Sequence, residues 1–122
     1  MFDYFTAKEL TCKCGCNTLE FDLTFLETLN KIREECDFPF VLSSAYRCPN
    51  HPVEARKVKP GAHSTGKAVD ILCSGEDALE VIRVAQANGI KRIGVQQKGS
   101  GRFIHLDACT EKDGYPTAIW SY

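Results

Sequence analysis

The chain has 122 residues, 43% of them hydrophobic and 25% charged, and a formal net charge of −1. That length sustains one proper core, so a single domain over residues 1–122 is expected. The near-neutral balance argues against a nucleic-acid binder, and no apolar run approaches the ~20 residues that cross a bilayer.

From the start, Phe2 to Leu10 is aromatic-rich and reads as a short packing segment. MFDYFTAKEL has neither a basic nor an apolar leader region, so no signal peptide is read there. KCGCNTLEFD follows as a turn and a short extended piece. From Asp22 to Cys36 the apolar positions Phe25, Leu29, Ile32 and Cys36 recur at helical spacing with Leu26 alongside. Thr24 and Glu27 are placed to form a capping box near that helix's start.

Phe38 to Leu42 predicts a short strand, with Pro39 at its beginning or on an edge. It delivers Ser43, Ser44, Tyr46 and Arg47 to its C-terminal end. The loop from Cys48 to Ala62 carries Pro49, Pro52, Pro60 and the basic Arg56, Lys57 and Lys59. Long loops in small domains tend to be functional or mobile.

Gly61 and Gly66 flank His63, and Lys67 to Leu72 alternates as a strand. Ser74 is the expected N-cap of a second helix, with Asp77 in its first turn. That helix turns Ala78, Val81, Ile82 and Ala85 to the sheet, and Gly89 ends it. Lys91 to Gln96 is a strand with Ile93 and Val95 on one face. Lys98 to Gly101 is the hairpin turn into a strand from Arg102 to Ala108. Thr117 to Tyr122 is expected as a last strand burying Ile119 and Trp120. Two helices on a small antiparallel sheet make an α+β domain.

One constellation carries chemistry. His63 and Asp70 are seven positions apart, too far for neighbouring helical turns but suited to a loop feeding a strand. Alternation puts Ala68 and Asp70 on one face of that strand, opposite Val69 and Ile71. In RFIHLDA it groups Phe103, His105 and Asp107 against Ile104 and Leu106. Adjacent antiparallel strands would then present Asp70 and His105 to one cleft, with His63 reaching in from the loop. Two imidazoles and one carboxylate suit a single Zn²⁺ with a fourth position open for catalysis. Taken singly, His63 reads more often as a surface or turn residue, and Asp70 more often as an edge acid or half of an ion pair. His51 is an alternative to Asp70 in an all-histidine site.

Seven cysteines, at positions 12, 14, 16, 36, 48, 73 and 109, are many for this length. The odd count leaves at least one outside any disulfide, and reduced thiols are the expected state. CKCGC lacks the gaps usual in structural zinc sites. A metal site there, completed by Cys48, is the other reading.

At these residues the chain resembles the zinc peptidases of the M15 family, which include D-Ala-D-Ala carboxypeptidases and peptidoglycan endopeptidases. SSAYR is similar to the family's S-G-Y-R segment, and AHSTGKAVDI to its S-x-H-x-x-G-x-A-x-D-I segment. H63-STGKAV-D70 followed by FIH105LD matches its ligand spacing, and IWSY is similar to the W-S-Y ending of some bacterial and phage members. The resemblance runs from about Phe5 to Tyr122. It implies the fold shared with the hedgehog signalling domain, and zinc held by His63, Asp70 and His105. It also implies a peptidoglycan-peptide substrate, a monomer, and delivery to the wall by a phage or larger assembly. Arg47 is then the candidate for carbonyl or oxyanion stabilisation. Tyr46, Ser64 and His51 are candidates to contact substrate.

The chain departs from the family pattern at the general base. Better-known members carry an acid three residues before the final histidine, where Arg102 stands here. Asp107 is the nearest substitute, or else a carboxylate that orients a ligand histidine; Glu54 is the weaker candidate. A zinc-containing module that binds cell-wall peptide without cleaving it is the alternative function. A redox or metal-handling protein built on Cys12, Cys14 and Cys16 is a third.

Overall fold

The computed structural model describes residues 4–14, 20–47 and 62–122. Its elements are α1 (Ala7–Leu10), α2 (Leu23–Cys36), β1 (Val41–Ser44), β2 (Ala68–Leu72), α3 (Gly75–Ala87), β3 (Arg92–Gln96), β4 (Phe103–Asp107) and β5 (Ala118–Ser121). Short 3-10 turns at Ala62–Thr65 and Glu111–Asp113 complete the described chain. The α+β architecture expected from the sequence is present.

Helix α2 forms because Phe25, Leu26, Leu29, Ile32 and Cys36 fall on one buried face. The expected capping box at Thr24 and Glu27 is not what starts it. The N-cap is Asp22, whose carboxylate accepts from the Phe25 amide at 2.8 Å. An acidic cap also meets the positive end of the helix dipole, which a threonine would not. Ser74 does occupy the N-cap position of α3, but its side chain makes no capping bond; Glu76 and Asp77 supply the negative charge in that first turn. Val84 is buried in α3, whereas Ile82 is only half-buried.

The sheet order is β1-β2-β4-β3-β5. Neighbours among the first four are antiparallel, and β5 joins β3 in parallel. This corrects the purely antiparallel sheet expected, since β5 returns to the far edge after the turn at Glu111–Asp113 and enters in the same direction as β3. Ile119 is corrected too: it is 72% exposed. It sits on an edge strand, beside an open groove shared with Ile82, Ile90 and Ile93 of the α3 side.

Alternation then divides the sheet. Val69 and Ile71 of β2, Ile93 of β3, and Ile104 and Leu106 of β4 join the core with α2 and α3. On the opposite face, one row crosses the sheet: Asp70 is paired with His105, His105 with Gly94, and Gly94 with Trp120. Gly66, between the His63 turn and β2, adopts φ +76°, and a Cβ there would overlap the Glu20 carbonyl. Its own carbonyl accepts from the Asp22 amide at 2.8 Å, tying the start of α2 to the turn. Gly66→Ala should therefore destabilise the fold by roughly 2 kcal/mol or more, read as a lowered Tm in thermal melts.

Candidate metal centre

Three elements bring the centre together. His63 lies in the Ala62–Thr65 turn, Asp70 at the middle of β2 and His105 directly opposite it on β4. All three are buried, with 6%, 6% and 3% of their surfaces exposed. Their ligand atoms lie within 4.8 Å of one another, and among the described residues this is the cluster that fits a metal ion. Asp70 Oδ1 is 3.2 Å from His63 Nε2 and 2.9 Å from His105 Nδ1. The two rings meet edge-on, centroids 5.0 Å apart.

The far nitrogen of each ring is also committed. His63 Nδ1 donates to the Ala45 carbonyl at 2.7 Å. His105 Nε2 donates to Asp107 Oδ2 at 2.6 Å. Those partners accept only, so each neutral ring carries its hydrogen on the far side and presents a lone pair inward. Two lone pairs and a carboxylate oxygen at this separation repel unless a cation lies among them. The donor set therefore fits a zinc ion, and without metal a proton must take its place. Burial pushes the Asp70 carboxyl up, but hydrogen bonds from His105 and His63 outweigh it and hold the group well below the usual range. Burial likewise disfavours charged His105, yet hydrogen bonds to Asp107 and Asp70 raise its pKa.

Asp107 is fully buried. Besides His105 it accepts from Arg92 Nε at 2.8 Å and from the Cys109 amide at 3.1 Å, both on Oδ1. Arg92 in turn donates to the Pro116 carbonyl at 2.6 Å and lies between the Tyr115 and Trp120 rings, 5.1 and 4.9 Å from their centroids. An ordered chain thus runs from Pro116 through Arg92 and Asp107 to His105.

Arg47 lines the same cleft of about 430 Å³ with His63, Asp70, His105, Phe103, Trp120 and Tyr122. Its Nη2 is 3.6 Å from Asp70 Oδ2, and its Nε donates to Ser44 Oγ at 2.9 Å. Ser64 does not line the cleft; its hydroxyl donates to the Arg47 carbonyl at 2.6 Å and so fixes the Arg47 backbone beside the turn. Tyr46 is buried against Cys12 and Phe21, away from the cleft lining. Arg102 is exposed and donates to the Gly99 carbonyl at 2.8 Å. His51, Glu54 and the basic residues Arg56, Lys57 and Lys59 lie outside the described residues, as do Cys16 and Cys48.

Cys12 Sγ is 3.4 Å from Cys14 Sγ. Burial pushes the Cys36 and Cys73 thiols up to about 11, which leaves them poor nucleophiles.

The sequence reading missed Arg92, Tyr115 and Tyr122. Alternation in β3 does put Arg92 and Gly94 opposite the core residue Ile93. The parallel register that brings Trp120 beside Gly94 left no local signal.

Two measurements probe this centre. Asp107→Asn should weaken zinc affinity roughly 10–100-fold, measured by competition with a chelator. In the metal-free protein, Asp70 stabilises above its ordinary pKa of 3.8 and that contribution is lost as pH falls further. His105 stabilises below its ordinary 6.5, and its contribution is lost as pH rises through the raised value. The Tm difference between wild type and Asp70→Asn in chelator should thus be largest between those two values. With zinc added, stability should instead climb with pH, because the ligands must shed their protons.

Over residues 3–107 the chain matches the family model for peptidase M15. A comparison with curated proteins returns no match. The matched segment holds His63, Asp70, His105, Arg47 and Asp107 and covers well over half of the sequence, so the chain belongs to the peptidase M15 family.

Proposed function

We propose that the chain is a zinc-dependent peptidase that hydrolyses peptide bonds in peptidoglycan stem peptides or cross-links. The observation that carries this is the inward convergence of His63 Nε2, His105 Nδ1 and Asp70 Oδ1, each imidazole locked from behind by its own acceptor. His63, Asp70 and His105 would hold the ion. When bound, zinc supplies Lewis acidity, polarising a carbonyl and lowering the pKa of water towards about 7.

The protein's own groups do the rest. Arg47 sits at the cleft with one edge of its guanidinium towards Asp70 and the Nε towards Ser44. A permanent planar cation there can receive the negative charge that builds on the carbonyl oxygen. Asp107 is assigned the orienting role rather than that of general base. Both its oxygens are occupied and it is closed to water, so it sets the His105 tautomer and holds the ring square to the centre. Arg102 cannot accept a proton. Hydrogen bonds from His105 and His63 keep Asp70 ionised and in place against the cost of its burial.

The alternative is a zinc-containing module that binds wall peptide without cutting it. Purified cell walls should lose turbidity with the zinc-loaded protein, lose none with chelator, and resume on zinc addition. No turbidity loss from the zinc-loaded protein, with the metal shown to be bound, would favour the binding module. Weighing the products from defined muropeptides then identifies the bond. Arg47→Ala should lower kcat about 10²–10³-fold while leaving zinc content unchanged, as metal analysis of the purified variant will show.

A further inference from the structure

Gly94 occupies the central row of the site face, in register between His105 on one side and Trp120 on the other. Its φ is not left-handed, so the backbone does not require glycine there. Space does. A Cβ on Gly94 would lie 2.6 Å from Trp120 Nε1, 2.7 Å from Trp120 Cε2 and 2.9 Å from the Tyr122 hydroxyl. The indole and the phenol therefore lean across β3 into the room a side chain would take, and so reach the metal centre from the edge strand β5. The Trp120 ring comes within 5.1 Å of His105, and Phe103 braces the Tyr122 ring at 5.1 Å.

We propose that Tyr122 is a substrate-contacting residue of the cleft, its phenol donating a hydrogen bond to the carbonyl oxygen of the bound peptide and to the oxyanion that develops there. Arg47 follows β1 and Tyr122 follows β5, so the two donors arrive from opposite edges of the sheet with Asp70 and His105 between them. The indole N–H only donates. It lies beside the Tyr122 hydroxyl in the space over Gly94, so it makes no claim on the phenol's own hydrogen. Tyr122 is 54% exposed, yet partial desolvation of its phenol and the nearby Asp70 charge push its pKa up, so the group stays protonated and acts as a donor rather than a base. Trp120 and Tyr122 lie beyond residue 107, where the family match ends.

The inference rests on the peptidase reading, and a Tyr122→Phe variant separates the two. It keeps the ring and removes only the hydroxyl. On the muropeptide that wild type cleaves, kcat should fall about 10²-fold with KM within about twofold. Zinc affinity should not change. Trp120 is the sole tryptophan, so its fluorescence follows binding directly. Affinity for a phosphinic dipeptide of alanine, whose tetrahedral oxyanion mimics the reacting centre, should drop by at least tenfold in Tyr122→Phe. Gly94→Ala should shift the emission of Trp120 in the metal-free protein and lower kcat, with little further loss when combined with Tyr122→Phe. Wild-type kcat and phosphinate affinity in Tyr122→Phe would overturn the proposal, as would loss of zinc in that variant. If zinc-loaded wild type cleaves nothing yet binds the phosphinate in a Tyr122-dependent way, the contact stands and the peptidase reading fails.

Discussion

A carboxylate buried between two imidazoles is the constraint on which the rest of this molecule turns. Asp70 cannot sit in a β-strand flanked by Val69 and Ile71 unless something positive answers its charge. The fold meets that demand with two rings whose outer nitrogens are already spoken for, so the inner ones are left to share a cation. The sheet register supplies half of the arrangement, by setting Asp70 opposite His105. The turn at Gly66 supplies the other half, by carrying His63 back over the strand.

Behind this centre lies a second layer of charge. Asp107 is buried with Arg92, and both are further engaged by backbone groups and aromatic faces. A buried ion pair contributes little net stability by itself, because desolvation offsets the attraction. Its value here is geometric. Arg92 fixes one oxygen of Asp107 so that the other points along the strand at His105, and the imidazole loses its freedom to flip.

Much of this was legible in the sequence. Period-two alternation correctly assigned Asp70 and His105 to one face and Val69, Ile71, Ile104 and Leu106 to the core, because a half-buried sheet enforces that pattern. The helix spacing of α2 was equally direct. What escaped were features set by distant pairing. Nothing near Ile119 signals a parallel edge strand, and so its exposure could not be foreseen. Nothing near Arg92 names Asp107 as its partner fifteen residues on. The capping of α2 was misplaced by two residues, since Asp22 and Thr24 are both plausible caps and only the tertiary anchor at Gly66 chooses between them.

The three candidate metal ligands stand on interior strands and an anchored turn, whereas the aromatic wall hangs on an outermost strand that, among the described residues, pairs along one side only. Interior strands are gripped from both flanks and tolerate little displacement. An outer strand can be reshaped, lengthened or re-sequenced while the grip on the cation stays as it is. On the proposed function, the scaffold thereby separates the part that makes chemistry feasible from the part that chooses what is brought to it, and selectivity can be tuned from the rim without disturbing the reactive core.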